Sequence, residues 1–340
     1  MKKFLLLIVT AVLFAACGGE EDRNYQFFNG DAIGTSYHII VANPPADLDA
    51  KIQSVFDEAN ASLSMFNPES QLSKINRNEE VTTNQHIATC YNYATMAYRL
   101  SNGKYDITVA PLVDLWGFGP SGKAVEAPTQ QQIDSVLQFV GQDGIALNYR
   151  RIFKDDPRIQ IDLSSVAKGH TVDMMCEMLN ELGVEHYLVE IGGELRCKGI
   201  SSSDRQWRIG IDNPDFRVIP GTSETIATLQ LPSEKAVATS GNYRNFYTTP
   251  SGQRVVHTID ATTGQPYQSS ILSATVVHER CARADALATM LMLSAEPNEE
   301  NLALWKRRLG EHTEILVVYS DENGKSQVYA SEGMKEYMVD

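Results

Sequence analysis

The sequence predicts an α+β fold, and three of its features do so. Apolar residues recur at helical spacing over much of the first third of the chain. Strand-like stretches dominate residues 207–277. No regular βαβ repeat joins the two regions, so a doubly wound parallel sheet is not indicated. With 340 residues, 43% hydrophobic and 21% charged, the chain is long enough for two core-bearing lobes or one large domain.

The elements follow in order. Residues 35–41 read as a strand. Residues 47–63 read as a helix, with Leu48, Ile52, Val55, Phe56, Ala59 and Leu63 on one face. A loop at 66–70 precedes a helix over 89–101, which Gly103 ends. The glycine- and aromatic-rich stretch 103–119 reads as an irregular binding segment, and 130–140 as a short helix before Gly141. A strand is predicted at 158–163, a helix at 166–182 ended by Gly183, and a strand at 186–191. Two late helices, 283–293 and 298–309, are followed by a hairpin of 314–319 with 326–329 across Asp321-Glu322-Asn323-Gly324. No repeat, low-complexity tract or linker divides the chain, so 25–340 reads as one domain.

The first residues read as a leader. Lys2 and Lys3 precede an apolar run over 4–16, interrupted only by Thr10. That run is shorter than the ~20 residues a membrane span takes, and it fits a signal peptide over 1–16. Leu13-Phe14-Ala15-Ala16-Cys17 resembles a bacterial lipobox, with Cys17 lipidated as the new N-terminus and Phe14 a less usual choice. A plain secretory leader cleaved near Ala16 is the alternative. Residues 17–24 then form a short acidic tether. The expected location is the outer side of a bacterial membrane, facing the periplasm or cell exterior, held by that lipid. Export implies an oxidising compartment. Cys90, Cys176, Cys197 and Cys281 are widely spaced with no CxxC, which disfavours zinc. Cys176 and Cys281 read as buried thiols in apolar helices.

A net charge of −14, without a basic run, argues against nucleic acid as a partner. An anionic ligand would need a metal or a small basic pocket. Asp285 and Thr289 supply a carboxylate and a hydroxyl four residues apart, stacked on one helix face. Such a pair also occurs at helix caps and surfaces. Here Ala284, Ala286, Leu287, Ala288, Met290 and Leu291 surround it, so the helix reads as buried, and a buried aspartate needs a partner or a metal. Magnesium prefers six oxygens, so main-chain carbonyls and ligand phosphates would complete the set. The turn at Ser164-Ser165-Val166 can offer a carbonyl.

Lys168 lies where a strand would turn into a helix, a place that suits phosphate. A solvated lysine is the plainer reading. Asp162 can bind that lysine, a ribose or a ring N–H. Thr239-Ser240-Gly241-Asn242-Tyr243 reads as a small-residue loop after a strand at 236–238, suited to a ligand or to any tight turn. His257, placed on a strand over 255–260, is a proton acceptor or a structural histidine. Ile191-Gly192-Gly193-Glu194 ends an apolar strand with two glycines, which implies close backbone approach or a turn between strands. There is no GxGxxG after a strand, and no GxxxxGK[ST], GxSxG or HExxH.

In order, Ala32-Ile33-Gly34-Thr35, residues 66–76, 105–119, 162–173, 187–194, 239–243, 257–266 and 281–289 resemble the ApbE family of FAD:protein FMN transferases. The resemblance runs from about residue 32 into the C-terminal region, and eight ordered motifs are far more specific than one. It implies a mixed-sheet, T-fold-like architecture with flanking helices and FAD in a cleft between lobes. It implies Mg²⁺ held by Asp285, Thr289 and the main-chain carbonyl of Ser165. It also implies FAD contacts from Ile33, Phe66, Asp106, Ile107, Thr108, Asp162, Lys168 and Ile259. Phe66 stands where many members carry tyrosine, and Ile33 where methionine is frequent. The implied reaction moves FMN from FAD to a threonine hydroxyl of a target flavoprotein and releases AMP. His257 is the candidate base, while Mg²⁺ held by Asp285, assisted by Lys168, neutralises charge building on the leaving AMP phosphate. A magnesium-dependent FAD pyrophosphatase and a non-catalytic FAD-binding lipoprotein are the alternatives.

Overall fold

The computed structural model describes residues 23–339 apart from 123–125, 216–223, 243–245, 250–251, 253, 268 and 294–296. The leader, Cys17 and Tyr243 lie outside the described residues. The chain opens with a hairpin of β1 (Tyr25–Ala32) and β2 (Thr35–Ala42). Its turn is Ile33-Gly34, with φ of 45° and 82°. A two-residue hairpin turn of this kind needs positive φ at both positions. Glycine meets that freely; β-branched Ile33 meets it under strain.

Helix α1 (Leu48–Leu63) buries the apolar face its spacing predicts. Helices α2 (Gln71–Asn76) and α3 (Gln85–Leu100) start at Ser70 and Asn84, whose side chains accept from the N–H groups of Ser73 and Ile87. Next come α4 (Ala110–Leu115), α5 (Gln130–Leu137), and a hairpin of β3 (Ile145–Asn148) with β4 (Arg151–Lys154). After α6 (Ser164–Glu181) the chain is mostly strand: β5 (Tyr187–Ile191), β6 (Glu194–Lys198), β7 (Trp207–Asp212), β8 (Thr225–Leu231), β9 (Ala236–Gly241), β10 (Phe246–Thr248), β11 (Arg254–Val256) and β12 (Ile271–His278). It closes with α7 (Cys281–Met292), α8 (Glu299–Leu309), the hairpin β13 (Glu314–Ser320) and β14 (Ser326–Ala330), then α9 (Glu332–Tyr337) and β15 (Met338–Val339).

Eight strands form the main sheet in the order β1-β2-β5-β6-β9-β12-β13-β14. The α+β class holds, but every pairing in this sheet is antiparallel rather than mixed. Both faces are covered. On β13, Ile315 and Val317 join the core containing α7, while Leu316 and Val318 join the core beneath β7 and β8. Alternate side chains of a strand point to opposite faces, so a sheet covered twice reads as a continuous apolar run. A three-stranded sheet of order β15-β8-β7 is that second cover. All four described cysteines are buried and free. No helix among the described residues is long and apolar enough to cross a membrane.

Four sequence expectations change. Residues 158–163 are not a strand: only Gln160 makes a single bridge, to Val109. The alternating burial of Ile159, Ile161 and Leu163 is real. However, the side chain of Asn76 occupies the edge, accepting from the Ile161 N–H at 2.8 Å and donating to its carbonyl at 2.9 Å. Residues 239–241 continue β9 instead of forming a loop, because they pair with β12. His257 lies just past the end of β11, not within a strand. The irregular segment 103–119 contains α4, and neither β1 nor α2 was anticipated.

Helices α6 and α7 meet at Gly169. A Cβ there would stand 2.5 Å from the Cys281 carbonyl oxygen and 2.8 Å from Asp285 Cβ. Backbone cannot yield as a side-chain tip does, so Gly169→Ala is expected to cost about 1–3 kcal/mol. A lowered Tm with weakened FAD binding checks this; an unchanged Tm contradicts it.

His170, also on α6, is buried with Nε2 3.0 Å from His86 Nδ1, and His86 Nε2 lies 2.8 Å from Glu58. Burial, then the nearby His86 and Arg280, hold the His170 imidazole down at about 4. The unfolded chain therefore binds the extra proton first, and His170 removes stability as pH falls from about 6.5 towards 4. The effect is at most about 3 kcal/mol. Tm should drop across that window, and His170→Gln should flatten the drop; an equal acid limb in both proteins would refute the assignment.

Candidate functional site

The strands and helices that flank α6 converge on a cavity of about 450 Å³. Lys168 sits in the second turn of α6, with Nζ 2.9 Å from Glu194 Oε1 and 3.9 Å from Asp285 Oδ1. Glu194 opens β6 directly after Gly192 and Gly193, whose φ values of 62° and 103° form the reversal from β5. Asp285 lies in the second turn of α7, and Thr289 one turn later has Oγ1 3.0 Å from Ser240 Oγ on β9.

Asp173 fixes the start of α7. Its carboxylate accepts the N–H groups of Cys281 and Ala282 at 3.1 and 3.0 Å, and pairs with Arg196 of β6 at 2.9 Å. This caps one helix from another, satisfying donors that a helix start leaves orphaned.

Electrostatics follow from burial. Glu194 and Asp285 are 2% and 1% exposed. Burial pushes both carboxyls above their ordinary range, Glu194 to about 7, with Lys168 opposing the rise. For Lys168 burial works downward, but Asp285 and Glu194 together hold it well above the ordinary lysine value. Two carboxylates face one ammonium, and Glu194 Oε2 is buried without a hydrogen-bond partner. The cluster has room for another cation or donor.

The donors suit magnesium. Among the described residues no group of three His, Cys, Asp or Glu could hold a metal alone. Asp285, Thr289 and Ser165 nevertheless line the same cavity. The Gly169 N–H, which a regular helix directs to the Ser165 carbonyl, donates to Asp285 Oδ2 at 2.9 Å. The Ser165 carbonyl thus shares or loses its helical donor and has a lone pair to offer. Carboxylate, hydroxyl and carbonyl are the hard oxygens this ion takes, with phosphate or water completing the shell.

Of the other expected residues, Phe66, Asp106, Asp162, His257 and Ile259 line this cavity. Phe66 is 61% exposed, an aromatic face open to a planar ring. Asp162 Oδ1 accepts the Ser164 N–H at 2.7 Å. Burial raises the Asp162 carboxyl, and Ser164 and then His257 counter it. The His257 ring stands edge-on to Phe118, centroids 6.2 Å apart. A small apolar cluster of Leu112, Trp116, Ile133, Val255 and Ile259 carries this segment.

Three expected residues sit elsewhere. Ile33 lines an adjoining cavity of about 780 Å³, which shares Met65, Phe66, Ser164 and Lys168 with the first. Ile107 and Thr108 are buried behind the wall. The Ile107 carbonyl accepts the Asp162 N–H at 2.7 Å, and the Thr108 hydroxyl donates to Asp106 Oδ1 at 2.6 Å. Asp106 also takes the N–H groups of Thr108 and Gln142, so its oxygens already serve the chain. Glu194 as the partner of Lys168 was not foreseen, nor was Tyr105, whose hydroxyl lies 2.7 Å from Ser165 Oγ. An acid directly after an apolar strand and two glycines was the available signal for Glu194.

The chain matches the ApbE family over residues 33–316. It is 32% identical to an FAD:protein FMN transferase of Vibrio cholerae, covering 99% of each chain. It is also 32% identical to one of Haemophilus influenzae, covering 87% of this chain and 88% of that one. The solved flavin transferase ApbE of Vibrio cholerae superposes with a TM-score of 0.81 at 30% identity, covering 93% of this chain and 99% of that chain. The apo flavinyl transferase ApbE of Pseudomonas stutzeri gives 0.79 at 27% identity, covering 93% and 97%. Matched so nearly end to end in sequence and in fold, this chain belongs to the ApbE family.

Proposed function

We propose that this chain is a magnesium-dependent FAD:protein FMN transferase that moves FMN to a threonine hydroxyl of an acceptor flavoprotein and releases AMP. The observation that carries the reading is the half-buried Lys168 paired with buried Glu194 and Asp285 in one cavity with Thr289, Asp162 and His257. The names of the relatives support the same chemistry.

Asp285, Thr289 and the Ser165 carbonyl would hold the ion. Bound there, Mg²⁺ would neutralise charge on the FAD pyrophosphate. Lys168, pinned by Glu194, presents a second positive charge at a fixed place. Phe66 offers a face to the flavin. The acceptor oxygen bonds to the FMN phosphorus as the bond from that phosphorus to the bridging oxygen breaks. AMP leaves with the bridging oxygen, and His257 takes the hydroxyl proton. Asp162, which lines the same cavity, would stabilise the protonated ring when ionised.

The test is incubation with FAD, MgCl₂ and a recombinant acceptor domain, read as covalent flavin fluorescence on the acceptor. FMN and AMP without labelling would indicate a hydrolase, and intact bound FAD a carrier. Asp285→Ala should lower transfer ~10²-fold or more. His257→Ala should cost about 10²-fold in kcat with FAD affinity retained; wild-type rates would remove either assignment. We further propose that lipid on Cys17 anchors the enzyme on the outer face of a bacterial membrane. Cys17→Ala should release it from the membrane fraction, and unchanged partitioning would exclude the anchor.

A further inference from the structure

A third cavity, of about 520 Å³, lies on the other side of the main sheet. Its floor includes Ser36 and His38 of β2, Glu190 of β5 and Thr239 of β9, and its wall is residues 208–212 of β7. We propose that this groove receives an extended segment of the acceptor polypeptide and leads its hydroxyl residue to the catalytic cavity. The proposal rests on the transferase reading above.

Three observations support a polypeptide as the occupant. First, β7 is an edge strand: among the described residues it pairs with β8 and with no second strand. Such an edge offers main-chain donors and acceptors to an added strand. The wall runs for five residues, about 16 Å of extended chain.

Second, the groove lining carries groups of both signs. His38 pairs with Glu190 at 2.6 Å, and Glu190 also accepts the Gly193 N–H at 2.5 Å. Arg208 and Asp212 both line the wall. This mixture suits peptide groups and leaves no surplus cation for a pyrophosphate, in contrast to the Lys168 side.

Third, the groove meets the catalytic cavity. Gly192 and Thr239 line both. On β9, Thr239 shares the groove face with Val237, while Ser240 points to the opposite face and contacts Thr289 at 3.0 Å. One strand end therefore connects the groove to a proposed magnesium ligand.

Ser36 is exposed on the floor and has no part in the catalytic cavity. The four described cysteines are buried, so a Ser36→Cys side chain can be alkylated with a bulky maleimide after folding. Wild type given the same reagent controls for Cys17. The probe is a recombinant acceptor domain carrying an FMN-acceptor threonine, with FAD and MgCl₂. Alkylation at position 36 is expected to raise the acceptor KM about tenfold or more, leaving FAD affinity by flavin fluorescence unchanged. An unlabelled Ser36→Cys protein should behave as wild type. If the wild type labels the acceptor and alkylation leaves KM unchanged, the groove assignment is wrong and the transferase reading stands. If the wild type binds FAD but never labels the acceptor, the transferase reading falls and the groove falls with it.

Discussion

Helices α6 and α7 touch backbone to backbone at Gly169, and the rest of the site depends on that contact. The N–H of Gly169 reaches Asp285, and a single methyl in its place would strike the Cys281 carbonyl. This approach brings Lys168 beside Asp285 and gives the Gly169 N–H an acceptor besides the Ser165 carbonyl. Oxygen donors and a cation are thus brought together by one missing side chain. Asp173 holds the same pair of helices from the other direction, capping α7 while bound to Arg196.

The resulting cluster sets two buried carboxyl groups against one ammonium. Breaking a buried ion pair costs several kcal/mol, because the remaining charge is left without compensation. Burial pushes the Glu194 and Asp285 carboxyls up and Lys168 opposes that rise, while the two carboxyls hold the Lys168 ammonium above the ordinary lysine value. Lys168 remains 33% exposed, so the positive charge is offered to the cavity rather than sealed in the core.

The double-covered sheet explains how two cavities come to share a rim. Its strands bury one set of alternate residues under α6 and α7 and the other set under β7 and β8. Where β5 turns through Gly192-Gly193 and β9 reaches Thr239 and Ser240, the two faces come within one residue of each other. A flavin nucleotide on one face and a polypeptide on the other would meet there.

Much of this was legible in the residues. The apolar spacing of α1, the all-round apolar α7 and the hairpin of β13 and β14 followed from local periodicity. The pair Asp285 and Thr289 was legible because a helix fixes i and i+4 on one face. Tertiary structure decided what depends on partners distant in sequence. Asn76 took the edge that residues 158–163 would have given a neighbouring strand. β12 drew residues 239–241 into the sheet, and of the partners open to Lys168 the fold supplied Glu194. Ile107 and Thr108 proved to brace Asp162 and Asp106 from behind the wall. The sequence by itself determined the periodic elements and the chemistry they could carry, because periodicity is set by neighbours along the chain. Only the folded structure decided which carboxylate meets which ammonium, because that is set by which backbones can approach, and here by a glycine.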